Sequence, residues 1–354
     1  MTLKPHEMPA EVAELFKAGA VIPAHPLALD SSRQLDRRRQ RALTRYYVDA
    51  GAGGLAVGVH TTQFAIRDNG MFVPVLQAAI EDARGWTDRP LVMIAGVAGP
   101  IDQALEEART ARELGYHAAL VSLAALKGRS NAELLDHCRR VAEEIRIIGF
   151  YMQTAVGGLE LDFDFWREFS AIENVIGIKV APFNRYRTYD VMRGVVAAGA
   201  EDRVTLYTGN DDHIVADLMT PFEIPRGSET VTLRFRGGLL GHWSVWTRAA
   251  VDLLARIKAG QVSGGGIDPE LLGLDARVTD CNAAFFDVAN NFHGCIAGCH
   301  EVLRRQGLLE GIWCLDPAEG LSPGQAAEID RVYAAHPDLN DDEFVRKNLD
   351  RWLS

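Results

Sequence analysis

The sequence predicts an α/β fold, a (β/α)8 TIM barrel followed by a C-terminal helical region. Eight short apolar runs alternate with amphipathic segments over roughly the first 250 residues, the usual length of such a barrel. Several runs are apolar on both faces, which is typical of a parallel sheet covered on both sides. The candidate strands are residues 20–25, 54–59, 90–96, 118–123, 148–153, 175–180, 203–209 and 237–245.

Helical patterns lie between these runs, for example at 35–49, 101–115, 131–146 and 187–199. An open doubly wound sheet is the structural alternative. No GxGxxG motif follows the first strand, and its absence makes that alternative less favoured.

The last part of the chain carries no further strand pattern. We therefore predict a barrel over residues 1–260 that carries the active site and a helical region over 261–354. Its helices are expected at 276–290, 294–306, 322–335 and 341–353, and "SGGG" (263–266) and "DPAEGLSPG" (316–324) mark breaks. The stretch 220–238 is longer than one βα unit needs, so it is either an extra hairpin or a loop over a barrel mouth.

Composition narrows the class of protein. The net charge of −11 argues against nucleic acid, which needs basic surface to neutralise phosphates. No apolar run is long enough to span a membrane, and residues 1–20 lack the apolar core of a signal peptide. We expect a cytoplasmic protein without a disulfide framework, because its five cysteines are scattered.

The stretch "ENVIGIKVAP" ends an apolar strand with Lys179. Barrel enzymes carry their chemistry at the carboxyl ends of strands. With period two, Val175, Gly177 and Lys179 share a face, and Gly177 would leave space beside the lysine stem. Partial desolvation would lower the pKa of the ammonium and supply neutral amine for Schiff base formation. A lysine that only snorkels to the rim is the alternative.

Tyr151, in "GFYMQTAVGG", ends the preceding strand at a similar height. A phenol beside an amine can relay protons during carbinolamine formation and carbon–carbon cleavage. A core aromatic residue with a satisfied hydroxyl is the other interpretation.

With these motifs the chain resembles the dihydrodipicolinate synthase / N-acetylneuraminate lyase family of class I aldolases. In that family the fifth strand carries Y-N-x-P-x-x-T-G, the sixth carries I-x-G-x-K, and the lysine follows the tyrosine by 28 positions. Here "NVIGIK" ends at Lys179, and Tyr151 precedes it by 28 positions. "GAGGLAVGVHTTQF" is similar to the family's G-T-T-G-E-F strand, and "LYTGND" is similar to its L-x-G-D-D strand.

The resemblance implies a barrel enzyme, as a homotetramer or dimer, that needs neither cofactor nor metal. Lys179 would form a Schiff base with pyruvate or another 2-oxo acid, and Tyr151 would relay protons. Thr61 and Thr62 would bind the carboxylate through hydroxyls and amides, with His60 as a further candidate. The loop from Gly58 to Gln63 is one residue longer than the family's, so a reading without an insertion places Val59 and His60 there instead.

The chain also departs from the family pattern. Thr154 stands where the family has proline, and Val156 stands where the synthase has the arginine that binds the aldehyde's carboxylate. Gln153 is a candidate for binding a substrate hydroxyl or carbonyl, or a strand-end amide bonded to backbone. Trp243 is a candidate substrate contact and, with Trp246, would favour an aromatic partner if both face the cavity.

These observations predict a Schiff-base lyase, either an aldolase or a dehydratase, that acts on a 2-oxo acid. The alternatives are an authentic 4-hydroxy-tetrahydrodipicolinate synthase, a sugar-acid dehydratase, a hydratase-aldolase, a non-catalytic 2-oxo-acid-binding barrel and a metal-dependent barrel aldolase.

Three further motifs are interpreted as structural. "HGCIAGCH" (293–300) has two cysteines at helical spacing and lacks a second ligand pair for zinc. "HPLALD" places His25 in a polar turn after the first strand, where a role at the mouth is the alternative. "NDDH" (210–213) fits a helix N-cap better than a metal site.

Overall fold

The computed structural model describes residues 7–263 and 268–354. Eight parallel strands form one sheet in the order β1-β10-β7-β6-β5-β4-β3-β2. The two ends of the sheet meet where Ala24 bridges Ala56 in parallel and the His25 amide donates to the Ala56 carbonyl at 2.8 Å. The predicted (β/α)8 barrel is therefore confirmed. Its strands are β1 Val21–Pro23, β2 Gly54–Val57, β3 Val92–Val97, β4 Ala118–Val121, β5 Ile147–Met152, β6 Val175–Ala181, β7 Thr205–Thr208 and β10 Gly237–Leu240.

Helices cover the outside of the barrel and make up the C-terminal part. Those found in the described residues are α1 Ala10–Ala18, α2 Arg37–Ala50, α3 Phe72–Trp86, α4 Ile101–Leu114, α5 Asn131–Glu144, α6 Phe163–Ser170, α7 Arg185–Ala197, α8 Ile214–Met219, α9 Thr247–Ser263, α10 Pro269–Phe285, α11 Cys295–Arg305, α12 Gln325–Ala335 and α13 Asp342–Leu353. None of the helices in these ranges is long and apolar enough to cross a membrane.

Several helix boundaries follow local sequence signals. Ser130 forms a capping box with Glu133 at the start of α5, and Asp162 caps α6. The predicted helix 276–290 instead begins at Pro269 and ends at Phe285, because Asp268 caps it and proline occupies its first turn. The predicted eighth strand, 237–245, ends at Leu240 and is followed by a short 3₁₀ turn.

The long segment before the last strand is a hairpin. β8 Phe222–Arg226 and β9 Glu229–Leu233 pair antiparallel outside the barrel sheet. The hairpin packs beside α7, where Arg226 binds Glu201 at 2.5 Å. Because it precedes β10, it lies at the amino end of the strands, away from the end where Lys179 lies. The hairpin alternative is thus confirmed.

The first helix closes the amino end of the barrel. Phe16 of α1 enters the interior, where its ring stacks on Tyr207 with centroids 4.8 Å apart. The Tyr207 hydroxyl donates to the Phe16 carbonyl at 2.8 Å. This plug leaves the carboxyl end as the accessible mouth.

The C-terminal helices pack against the barrel at two places. α13 lies on α2, where Trp352 is buried against Tyr46 and its Nε1 donates to Asp49 at 2.6 Å. The end of α10 and the start of α11 lie over the mouth. The division into 1–260 and 261–354 stays a prediction, and α9 runs across residue 260. The predicted break at 263–266 lies largely outside the described residues.

Candidate active site

Lys179 lies inside the barrel near the carboxyl end of β6, with a fractional exposure of 7%. Its ammonium nitrogen stands 4.3 Å from the centroid of the Phe150 ring. In the part of the chain that the structure describes, no side chain or carbonyl hydrogen-bonds this nitrogen. The lysine is therefore buried and aimed into a cavity, and the rim-snorkelling alternative is wrong.

Burial is what perturbs this lysine. Desolvation lowers the pKa of Lys179 to about 8, although the nearby Asp211 charge acts in the opposite direction. With this pKa, roughly a tenth of the amine is neutral at pH 7, about two hundred times more than for an ordinary lysine. The group is suited to attack a carbonyl.

The space for the lysine stem comes from a glycine on the neighbouring strand end. A Cβ on Gly209 would lie 2.9 Å from Lys179 Cε and 2.7 Å from Ala181 Cβ. The prediction that Gly177 provides this space is wrong, because a Cβ there would meet the Phe16 ring at 2.8 Å. Gly177 thus accommodates the α1 plug, and Gly209 accommodates the lysine.

Tyr151 does not lie in the cavity, and the prediction that places it beside Lys179 is wrong. Its side chain is 1% exposed and packs outside the barrel against Trp166 of α6, with ring centroids 5.2 Å apart. Its hydroxyl donates to the Leu161 carbonyl at 3.0 Å and accepts from the Leu161 amide at 3.3 Å. Tyr151 is a core aromatic residue with a satisfied hydroxyl.

A β-bulge explains why the count of 28 positions misleads. Ile147 pairs with Val175, but Ile148 pairs with Gly177, so Ile176 is an extra residue in β6. Val175 faces the outer core, whereas Ile176 faces the interior, so Val175 does not share a face with Lys179. Beyond the bulge the residue paired with Lys179 is Phe150.

Asp211 is the main site residue that the sequence motifs did not identify. It follows β7, is buried, and lines the same cavity as Lys179. Its Oδ1 accepts from the His242 amide at 3.1 Å, and its own carbonyl accepts from Asn282. Desolvation raises the pKa of Asp211 to about 7, against the opposing effects of the His242 amide and the Lys179 charge.

The "NDDH" motif is therefore not a helix cap. The N-cap position of α8 is His213, and its side chain makes no capping bond. Asn210 instead donates to the buried Asp217 at 2.9 Å and accepts from the Phe183 amide at 3.0 Å. The proximity of Lys179 and Asp211 could be anticipated only from the adjacency of β6 and β7 at their carboxyl ends.

Of the residues predicted to bind substrate in the loop after β2, some line the cavity and one stabilises the loop itself. His60 and Thr61 line the cavity. Thr62 does not: its hydroxyl donates to the His25 carbonyl at 2.7 Å and accepts from the Gly58 amide at 3.0 Å. The carboxylate-binding prediction for Thr62 is wrong for its side chain, which fixes the loop. Burial and the Lys179 charge lower the pKa of His60 to about 4.

The two remaining predicted substrate contacts differ in position. Gln153 lines the cavity, but its Oε1 accepts from Thr154 Oγ1 at 3.1 Å and from the Ala155 amide at 3.3 Å. Trp243 is buried in the outer core and is not among the cavity residues, so this prediction is wrong. Trp246 packs edge to face against Phe285, with ring centroids 4.9 Å apart. Because neither tryptophan lines the cavity, the argument for an aromatic partner fails.

The C-terminal region covers the cavity. Five residues, which we call the roof, line it from this side: Phe286, Phe292, Cys295, Ile296 and Cys299. Phe292 meets Phe183 of the β6–α7 loop edge to face, with centroids 5.8 Å apart. The cavity below has a volume of about 70 Å³. This is well above the roughly 10–15 Å³ that a cavity needs to hold one water, so the space can accept a small molecule.

The other polar motifs lie outside this chemistry. His25 is buried, and its Nε2 lies 2.9 Å from Thr44 Oγ1. Burial raises the pKa of the Cys295 thiol to about 12. Among residues 7–263 and 268–354, no group of three His, Cys, Asp or Glu side chains could hold a metal ion.

Comparisons with known proteins agree with the geometry. The model of the dihydrodipicolinate synthetase family matches residues 17–223. A protein named "Probable 5-dehydro-4-deoxyglucarate dehydratase" from Acinetobacter baumannii is 28% identical over 129 residues, 36% of this chain and 41% of that protein. N-acetylneuraminate lyase 2 of Escherichia coli is 25% identical over 203 residues, 56% of this chain and 63% of that protein. The alignments thus span less than two thirds of these relatives.

Solved structures share the fold over nearly the whole chain. The dihydrodipicolinate synthase of Acinetobacter baumannii, complexed with pyruvate, gives a TM-score of 0.73 at 17% identity, covering 90% of this chain and 98% of that one. The N-acetylneuraminate lyase of Fusobacterium nucleatum gives 0.70 at 16% identity, with the same coverage. With the barrel, the strand-end lysine and a family match over more than half of the chain, the protein belongs to the dihydrodipicolinate synthetase family.

Proposed function

We propose that the protein is a Schiff-base lyase that acts on pyruvate or a related small 2-oxo acid. The observation that carries the proposal is the buried Lys179 amine, which faces a cavity at the carboxyl end of the barrel. The names of two relatives, a dehydratase and a lyase, support carbon–oxygen or carbon–carbon cleavage. The cavity volume of about 70 Å³ leaves room for a small acid such as pyruvate.

In the proposed reaction the neutral Lys179 amine attacks the ketone carbon, and the carbonyl oxygen becomes a hydroxyl. Loss of that hydroxyl as water leaves a protonated imine, which draws electrons from the adjacent carbon. The iminium can then acidify a C–H bond or accept electrons from a breaking carbon–carbon bond. The electron sink is the iminium itself.

The loop after β2 is proposed to bind the carboxylate of the 2-oxo acid. Thr61 lines the cavity, and no hydrogen bond from its hydroxyl is found among the described residues. His60 lies beside it and, being neutral at pH 7, can donate from one ring nitrogen without adding charge. A carboxylate held there would present its ketone to Lys179.

Asp211 is proposed to move the protons, because Tyr151 is directed away from the cavity. With a pKa near 7, the carboxyl is partly protonated at neutral pH and can donate to the leaving hydroxyl. The resulting carboxylate can then accept a proton from the substrate. Its contact with the His242 amide holds Oδ1 and leaves Oδ2 as the transferring atom.

A non-catalytic 2-oxo-acid-binding barrel is the second candidate, and one observation favours it. Phe150 occupies the position paired with Lys179, so no phenol is available there. An authentic 4-hydroxy-tetrahydrodipicolinate synthase is less favoured, because apolar Val156 lines the cavity where that enzyme needs a cation. A homo-oligomer and a cytoplasmic location stay predictions from the sequence.

The test is borohydride reduction in the presence of pyruvate, followed by intact-mass and peptide mass measurement. We expect one reduced pyruvyl adduct per chain, on Lys179, and none in the Lys179→Met variant. Lys258 is the internal control, because its pKa is also lowered by burial but its Nζ donates to the Ala18 carbonyl at 2.9 Å, outside the cavity.

The outcomes separate the candidates. Adduct on Lys179 together with turnover of any aldol or dehydration substrate supports the lyase. Adduct without turnover across a broad substrate panel favours the binding barrel. Folded protein that forms no adduct in excess pyruvate contradicts both roles for Lys179.

A further inference from the structure

The charges that line the cavity are few. Lys179 and Asp211 are the only lining residues, within the described part of the chain, that carry charge at neutral pH. His60 is neutral because its pKa is lowered to about 4, and the roof thiol of Cys295 is neutral because its pKa is raised to about 12. The only cation that can bind an acidic substrate in the described part of the cavity is thus Lys179, and Asp211 already lies beside it.

The surface beyond the lysine is apolar. Val156, Phe183, Phe286, Phe292 and Ile296 line the cavity on the side away from the barrel interior. A 2-oxo acid larger than pyruvate, bound at Lys179, would place its further carbons against these side chains. These five side chains therefore determine which substituents of the substrate can be accommodated.

The backbone of Phe292 in the roof and of Phe183, which packs against it, supports a functional role for both residues. Phe183 has φ 50° and Phe292 has φ 65°, a region that bulky residues seldom adopt. The Asn210 side chain holds the first through the Phe183 amide at 3.0 Å, and the Phe292 amide donates to the Asp287 carbonyl at 3.0 Å. Such strain persists where the surroundings enforce it, and it concentrates at ligand-binding sites.

We infer that the site selects a 2-oxo acid whose one carboxylate is its only charge and whose further carbons are apolar. The inference rests on the proposed Schiff-base function. The iminium would offset the first carboxylate, but a second carboxylate under the roof would be buried without a partner. Apolar carbons would instead gain contact with the phenylalanine rings and Ile296.

The experiment compares three acids in the borohydride assay on the full chain. Pyruvate is the reference, and 4-methyl-2-oxopentanoate and 2-oxoglutarate share one main-chain length but differ in their distal group. The concentration for half-maximal adduct on Lys179 is measured for each. We expect it to be at least about tenfold lower for 4-methyl-2-oxopentanoate than for 2-oxoglutarate.

A matched pair of variants tests the cause. Val156→Arg adds a cation at the cavity edge and should lower the 2-oxoglutarate concentration for half-maximal adduct by about tenfold, whereas Val156→Leu, which adds no cation, should not lower it. Thermal unfolding followed by circular dichroism checks that both variants fold. If neither does, the comparison of acids on the unsubstituted protein still decides the matter.

Equal or better trapping of 2-oxoglutarate would overturn the inference. So would trapping of pyruvate with neither longer acid, because the roof would then admit no substituent. Failure of pyruvate itself to form an adduct would overturn the proposed function and is thereby distinguishable from a failure of the selectivity alone.

Discussion

Lys179 and Phe150 are paired residues on adjacent strands, and the lysine nitrogen stands 4.3 Å from the centroid of the phenylalanine ring. The ring face offers a weak electrostatic attraction to the ammonium but no proton. Proton transfer at this lysine must therefore involve another group. Asp211, which follows β7, is the acidic residue that lines the same cavity.

We expect Tyr151→Phe to form the pyruvate adduct on Lys179 at the rate of the unsubstituted protein, within about twofold. The reason is that, among the described residues, its hydroxyl bonds only to Leu161, outside the barrel. Loss of those bonds should lower the free energy of unfolding by about 1 kcal/mol, measured by urea denaturation.

The matched variant is Phe150→Tyr, which places a phenol beside the amine. A rise in the trapping rate of about tenfold or more is expected if proton transfer limits imine formation. A large drop in the rate for Tyr151→Phe at unchanged stability would contradict the assignment of the two positions.

The rate of imine formation should have a flat maximum between about pH 7 and pH 8. It needs neutral Lys179, whose pKa is about 8, and protonated Asp211, whose pKa is about 7. Below pH 7 the rate should fall about tenfold per pH unit because the amine is protonated, and above pH 8 it should fall similarly because the carboxyl ionises. Stopped-flow measurement with pyruvate would record this profile.

Asp211→Asn serves as the control for the profile. It should slow the reaction at pH 7 and remove the alkaline fall, so that the rate rises to a plateau once the amine is neutral. Because the Asp211 charge raises the pKa of Lys179, the plateau should begin at a lower pH than 8. If the rate of Asp211→Asn still fell above pH 8, Asp211 would be ruled out as the acid.

Gly209→Ala should prevent adduct formation without unfolding the protein. Its Cβ would lie 2.9 Å from Lys179 Cε, so the lysine stem must move. Overpacking of this kind costs about 1–3 kcal/mol of stability. Intact-mass trapping and urea denaturation together measure both effects.

Gly85→Ala is the matched control for that substitution. Gly85 lies in α3, and apart from its chain neighbours and its own helix backbone no described atom stands within 4 Å of its added Cβ. It should raise the free energy of unfolding by about 0.5–1 kcal/mol through helix propensity and leave trapping unchanged. Normal trapping by Gly209→Ala would show that the lysine does not need this space.

Two adjacent threonines should respond differently to loss of the hydroxyl. Thr61→Val should raise the pyruvate concentration for half-maximal adduct by about fivefold or more at little cost in stability, because Thr61 lines the cavity and its hydroxyl is the proposed donor to the carboxylate. Thr62→Val should mainly lower stability, by about 1–2 kcal/mol, because it loses bonds to the His25 carbonyl and the Gly58 amide. If Thr61→Val mainly lowered stability and Thr62→Val mainly weakened trapping, the assignment of substrate binding to Thr61 and loop stabilisation to Thr62 would be wrong.

The barrel was predictable from the sequence because its signals are local and repeated. Each buried strand is a short apolar run, and helices such as α5 and α6 begin at caps that the sequence displays. Lys179 was predictable for the same reason. An ammonium group at the end of an apolar strand is costly to desolvate, and that cost marks the position as a candidate for function. These features depend on residues within one element.

Three features depended on how the elements meet. The extra residue Ile176 in β6 shifts the pairing by one position, so Phe150 and not Tyr151 faces Lys179. Asp211 meets the lysine only because β6 and β7 are adjacent. The apolar roof comes from residues more than 100 positions beyond the lysine. The sequence by itself determined the barrel and the lysine at the end of its sixth strand, whereas the tertiary structure decided the lysine's neighbours, because strand register and helix docking follow from packing across the whole chain.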